Sequence, residues 1–208
     1  MWFAIVGAVL VGYLLGNLNG AVCISKLVAH EDVRDQGSGN AGLTNFVRNY
    51  GAASSVFVIL IDGGKALLAC LVGGWLLAPH GMYAEGLAIG GFAVMLGHDF
   101  PALLGFRGGK GILSGAVIAF TLDWRVGLIG LAVFLVAYLL TQYVSLGSVL
   151  AALSFSVAFA VLRFGEPVVA LCGVAMGLLA VFMHRSNIVR LIQGKERKTN
   201  LFKKGEKR

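Results

Sequence analysis

Seven apolar runs occupy most of this chain, at about residues 2–26, 52–78, 83–102, 111–122, 126–143, 146–163 and 167–184. A helix needs about twenty such residues to cross a hydrocarbon core roughly 30 Å thick. Only the run at 111–122, cut short by Asp123, falls clearly below that length. The runs are continuous rather than alternating and too long for barrel strands, which argues against a β-barrel. Charged residues make up 13% of the 208 and hydrophobic ones 58%, with a mean hydropathy of +0.84. An ordinary soluble domain carries about 25% charge. The expected class is therefore an all-α integral membrane protein of about seven transmembrane helices, a single domain over 1–208 with a basic tail at 185–208.

The first run has no basic residue before Lys26 and is too long for a signal-peptide core, so it is expected to remain as a helix. Of the 17 Lys and Arg residues, fourteen fall in the tail or in the connections on its side: Lys26, Arg34, Arg48, Arg107, Lys110 and the nine from Arg185 to Arg208. Only Arg125 and Arg163 fall on the opposite side, and Lys65 lies within a run. The bias predicts the N-terminus outside and the tail in the cytoplasm. The net charge of +7 thus calls for anionic lipid heads rather than nucleic acid, for which no signature is present. Cys23, Cys70 and Cys172 lie in runs without motif spacing and read as small buried residues rather than a disulfide or metal set.

Three polar and glycine-rich clusters break the apolar pattern, and seven crossings would bring all three to the cytoplasmic face. They are Ser38-Gly39-Asn40-Ala41-Gly42-Leu43-Thr44-Asn45 through Arg48, Gly97-His98 through Gly108-Gly109-Lys110-Gly111, and His184-Arg185-Ser186-Asn187 through Glu196. The opposite connections are minimal and leave little room for a site.

Gly37, Gly39 and Gly42 spell G-x-G-x-x-G, but the dinucleotide fingerprint needs a preceding strand, and Val33-Arg34-Asp35-Gln36 is a charged approach. The 104–111 segment resembles a P-loop yet has Leu104 for the first glycine and Gly111 where a magnesium-binding hydroxyl belongs. What remains is anion-binding chemistry: backbone amides left open by glycine, neutral donors at Ser38, Asn40, Thr44 and Asn45, the Arg48 fork and the Lys110 charge. A helix cap is expected near Thr44.

His98 and His184 each close a run near the cytoplasmic interface, without the ligand spacing of a metal site. Leu103 and Val189 stand where an H-x-x-x-x-D acyltransferase would place its Asp. Asp62 and Lys65 share a helical face and are expected to neutralise each other, supporting the site from behind. Ser145 reads as a helix cap, while Ser148 could reach a bound phosphate. Pairs at G-x-x-x-G spacing (Gly12, Gly16 and Gly20; Gly86 and Gly90; Gly111 and Gly115; Gly173 and Gly177) predict close helix packing.

The three clusters, in order and across nearly the whole chain, resemble the three cytoplasmic motifs of the bacterial acyl-phosphate:glycerol-3-phosphate acyltransferases. The third runs His184-Arg185-Ser186-Asn187-Ile188-Val189-Arg190-Leu191 with Gly194 and Glu196. Leu43 stands where alanine is usual and Arg107 where lysine is common. The resemblance implies an inner-membrane enzyme with seven spans, the active site and C-terminus cytoplasmic, that makes lysophosphatidate from acyl phosphate and glycerol 3-phosphate without a cofactor, metal or obligate protein partner.

By the same resemblance, His184, Lys110, Arg48 and Ser38 form the catalytic set, and with Asn187 bind glycerol 3-phosphate. Gly39, Asn40, Thr44, Asn45, His98, Ser148 and Glu196 join the substrate-binding set. Gly108, Gly109 and Gly111 are expected to cradle the acyl-phosphate head, with the acyl chain along apolar helices. A membrane anion or phosphate transporter is the alternative, since basic residues and glycine loops could also form a vestibule. Clustering of the polar residues at one surface weighs against it.

Overall fold

The computed structural model describes residues 1–199; positions 200–208 of the basic tail lie outside the described residues. The described chain is helical throughout: α1 (Trp2–Asn17), α2 (Gly20–Ala29), α3 (Leu43–Tyr50), α4 (Ala52–Leu77), α5 (Tyr83–Asp99), α6 (Ile112–Leu122), α7 (Trp124–Thr141), α8 (Val144–Leu162), α9 (Pro167–Met183) and α10 (Arg185–Ile192), with single 3₁₀ turns at Val33–Asp35, Ala78–His80 and Ala102–Leu104.

By length and composition, five stretches can cross a bilayer: Trp2–Ala29, Ala52–His80, Tyr83–Leu104, Trp124–Thr141 and Val144–Leu162. Taking α9 and α10 together, bent by 54°, would add a sixth, while α6 is shorter. The expected seven segments are thus all helical, but not all reach spanning length. The first differs most from expectation, because the helix breaks between Asn17 and Gly20. Asn19 there caps α2, its Oδ1 accepting from Val22 N at 3.0 Å.

The first, second and third segments pack through small residues. A Cβ on Gly16 would strike the backbone of Val94 and Gly97 in α5, and one on Gly86 the backbone of Gly73 in α4. These contacts bear out the close-packing reading. Gly115 departs from it, since a Cβ there meets nothing within 4 Å, whereas one on Gly111 would strike the Met95 side chain of α5. Ala66, Ala69, Val94, Met95, Ile118, Phe159 and Met176 form the core that joins α4 and α5 to α6, α8 and α9.

At the pole opposite the motifs, Asp123 caps α7 and lies 2.7 Å from Arg125, while Arg163 donates to Leu122 O at 3.1 Å. The far ends of α6 and α8 therefore meet. An 11-residue helix rises about 16 Å and a 19-residue one about 28 Å. With shared far ends, the start of α6 is sunk well inside the bundle, and Gly111 is buried. That recess puts Lys110 below the polar surface rather than on it.

Candidate active site

The break in the first span organises the motifs. Asn17 Oδ1 accepts from Leu103 N at 3.0 Å, and Asn19 Nδ2 donates to Ala41 O at 2.9 Å, so the two asparagines flanking Leu18 hold the second and first loops. The polar groups freed by the break are met from α4. Lys65 Nζ donates to the carbonyls of Gly16 (3.3 Å) and Leu18 (2.5 Å), and Asp62 Oδ1 accepts from Gly20 N at 3.0 Å. Asp62 and Lys65 are 2.8 Å apart and 2% and 4% exposed, which is the expected mutual neutralisation. Lys65 also reaches His98 Nδ1 at 2.9 Å.

The first loop is tied by Asn45, whose amide donates to Val33, Gln36 and Asn40 carbonyls and accepts from Ser38 N. Gly39 N donates to Gln36 O. Asn45 therefore shapes the loop rather than offering a free ligand group, and the Gly39 amide expected to face an anion is taken. The helix cap expected near Thr44 falls instead at Gly42, before α3.

The second loop departs from expectation in a similar way. Gly109 N donates to His98 O at 3.0 Å, and neither Gly108 nor Gly109 lines the cavity described below. A Cβ on Gly108 would meet Pro101 Cδ at 2.6 Å, and one on Gly109 would land on the His98 ring. These glycines allow loop and histidine to touch rather than cradling a phosphate. Gly111 alone of the three lines the cavity, in left-handed backbone (φ +67°). Arg34, paired with Asp32 at 2.8 Å, donates to Leu104 O at 2.7 Å and thereby joins the first loop to the second.

Glu196 gathers the third cluster. Its Oε1 accepts from Ser145 Oγ (3.0 Å) and Asn187 Nδ2 (2.9 Å), and Oε2 from Arg190 Nε (2.7 Å). Asn187 Oδ1 in turn accepts from Lys110 Nζ, tying the third cluster to the second. Ser145 is thus a partner of Glu196 rather than a helix cap. Arg48 donates to Thr199, whose N–H donates to Gln142 O at 3.0 Å. The chain after α10 is therefore strapped between α3 and the α7–α8 turn. His184 Nδ1 lies 2.8 Å from Ala180 O. A carbonyl only accepts, so Nδ1 carries the proton and Nε2 is left as an acceptor.

Ser38, Gly39, Asn40, Thr44, Asn45, Arg48, His98, Lys110, Gly111, Ser148, His184, Asn187 and Glu196 line one cavity of about 700 Å³. Its polar end is cationic: Arg48, Lys110 and Arg190 all line it. Burial first, then the Arg190 charge, pushes the Lys110 ammonium down to about 8. Neighbouring donors from Asn187, Arg190 and Ser145 hold the Glu196 carboxyl below its usual range despite burial. The other end is apolar, lined by Ala119, Phe120, Val126, Gly130, Phe155 and Met176 of α6 to α9. Among the described residues no His, Cys, Asp and Glu group could hold a metal. The cavity can seat an anionic head against fixed cations with an apolar tail behind it.

Residues 6–194 match the family described as glycerol-3-phosphate acyltransferase. The chain belongs to that family. Relatives of the same name include those of Finegoldia magna (strain ATCC 29328 / DSM 20472 / WAL 2508), 40% identical over 191 residues (91% of this chain, 93% of the relative), and Thermoanaerobacter sp. (strain X514), 37% identical over 196 residues (94% and 96%). The fold matches the crystal structure of PlsY (YgiH), an integral membrane glycerol 3-phosphate acyltransferase, in its glycerol 3-phosphate form with a TM-score of 0.82 and 32% identity, covering 96% of this chain and 99% of that one. Its lysophosphatidic acid form matches with a TM-score of 0.80 and 31% identity, covering 95% and 96%. This acyltransferase is accordingly an all-α, multi-pass integral membrane enzyme.

Three residues that build this acyltransferase site were given no site role from sequence. Arg190 lies within the third motif but carried no assigned role. Arg34 sat in the charged lead before the first cluster, and Ser145 had a sufficient local explanation. A contact between chain-distant groups leaves no spacing signal, and Arg34 and Ser145 act through such contacts, whereas Arg190 pairs with Glu196 only six residues on.

Proposed function

We propose that this acyltransferase moves a fatty acyl group from acyl phosphate to the sn-1 hydroxyl of glycerol 3-phosphate, at the cytoplasmic face of a bacterial inner membrane, with its N-terminus outside. The reading is carried by one observation, a cavity with Arg48, Lys110 and Arg190 at one end and apolar helix faces at the other. Two phosphoryl groups and one hydrocarbon chain are what such a lining suits.

In the proposed reaction the hydroxyl oxygen attacks the acyl carbonyl carbon, forming the ester bond, and the bond from that carbon to the phosphate oxygen breaks. The hydroxyl proton passes to a phosphate oxygen, and inorganic phosphate leaves. Phosphate is a good leaving group, so holding the reactants and countering their charge supplies most of the acceleration. Arg48, Lys110, Ser38 and Asn187 bind glycerol 3-phosphate, with Ser148 nearby and His184 Nε2 accepting from the neighbouring sn-2 hydroxyl, which orients the attacking one. Gly111 and Lys110 meet the acyl-phosphate head. Asn45, His98 and Glu196 act from behind by fixing the loops.

The test combines purified protein with acyl phosphate and glycerol 3-phosphate, without CoA, and measures lysophosphatidate and phosphate. Substrate flux across liposomes with no acyl transfer would sink the reading in favour of a transporter. In a folded His184→Ala protein, a rate loss below about 10⁴-fold agrees with orientation, and a larger loss makes His184 the general base.

A further inference from the structure

We infer that Gly130 and the contact between Phe120 and Gly127 set the longest acyl chain this cavity admits. The inference rests on the acyl-transfer reading above and adds its specificity. Gly130 lines the cavity from α7, and a Cβ built there finds its nearest heavy atom 4.0 Å away, at Ala151 O. Most glycines in this bundle touch a neighbouring helix, as Gly16 does at Gly97 and Gly173 at Phe159. Close packing therefore does not require glycine at 130, and glycine weakens a helix interior relative to alanine. What the absent side chain leaves is free volume in the apolar end of the cavity.

One turn further from Lys110, that volume ends. A Cβ on Gly127 would lie 2.6 Å from the Phe120 ring, so ring and backbone are in contact and close the gap between α6 and α7. Gly127 is buried, and Val126 beside it completes the floor. From Gly111 to Phe120 at this floor the cavity follows α6, a rise of about 14 Å. One leaflet of a bilayer is about 15 Å deep, so the recess suits a chain of membrane-lipid length lying parallel to its neighbours. A side chain at 130 would stop the recess one turn short, by about 4.5 Å.

The experiment measures kcat/KM with octanoyl, dodecanoyl and hexadecanoyl phosphate for the wild type, Gly130→Leu and Phe120→Ala. Leucine at 130 enters open space and favours the helix, so the variant is expected to fold. Its efficiency with hexadecanoyl phosphate should fall at least about tenfold relative to octanoyl phosphate, whereas Phe120→Ala should move the optimum toward longer chains. Equal losses at every length in Gly130→Leu, with an unchanged profile in Phe120→Ala, overturn the inference and leave the acyl-transfer reading standing. No transfer by the wild type from any acyl phosphate overturns both.

Discussion

Lys65 Nζ lies 2.9 Å from His98 Nδ1, deep between α4 and α5 and against the break in the first span. An ammonium only donates, so Nδ1 accepts and the ring proton is on Nε2, the atom against which Gly109 packs. The pair thus links three things far apart in sequence: the carbonyls freed at Gly16 and Leu18, the Asp62 carboxylate and the second polar loop.

Removing one member of that group should be far worse than conserving its charge. Asp62→Ala leaves Lys65 buried without its counter-ion and Gly20 N without its acceptor, a loss of about 3–5 kcal/mol. The midpoint of thermal unfolding in detergent should drop markedly. An unchanged midpoint would mean that the buried pair does not hold the break.

Glu196→Gln keeps the shape but removes the charge that draws in Arg190 and orders Asn187 and Ser145. Activity should fall by at least about tenfold, through loss of charge-assisted hydrogen bonds worth roughly 1.5–3 kcal/mol. Ser145→Ala removes one neutral donor and should have a smaller effect. If the two variants lose activity equally, Glu196 is not the organising group.

The pH profile should expose Lys110. Its ammonium is pushed down to about 8, so in the unliganded protein it is charged below that pH and neutral above it. On the proposed function, kcat/KM for glycerol 3-phosphate, which reports the free enzyme, should decline as pH rises through about 8. Arg stays charged throughout, so Lys110→Arg should lose this alkaline limb whatever its absolute rate. Persistence of the same limb in that variant would assign it to another group.

Gly109→Ala should damage the protein although it adds a single methyl. The new Cβ would overlap the His98 ring, and such overpacking costs about 1–3 kcal/mol. Gly64 in α4 provides the contrast, as a Cβ there meets nothing within 4 Å. Gly64→Ala should stabilise by about 0.5–1 kcal/mol through helix propensity alone. Unfolding midpoints of the two variants, expected on opposite sides of the wild type, check both assignments.

Much of the fold could be read from the amino acids because hydrocarbon admits few backbone solutions. With no water to bond free amides, every apolar run had to become helix, and all seven expected runs contain helix. The pairing of Asp62 with Lys65 was legible for the same reason, since two opposite charges one turn apart in an apolar run have little alternative. The identities of the motif residues were also legible, and Arg48, Lys110, His184 and Asn187 do line one cavity.

Which group faces the cavity, and which holds another in place, was decided only in three dimensions. A glycine looks the same in sequence whether it frees an amide for an anion or makes room for a ring; at 109 the His98 ring is there and the amide is bonded to His98 O. Asn45 and Glu196 read as ligand groups until their own segments fold back to occupy their polar atoms, Val33 and Asn187 among the partners, with Ser145 joining Glu196 from α8. The break at Leu18 was hidden because the apolar run resumes on both sides of Asn17, Asn19 and Gly20, while the lysine and aspartate that satisfy its backbone come from another helix. Local chemistry sets what each residue is able to do, and packing across the bundle sets which of those capacities remains open.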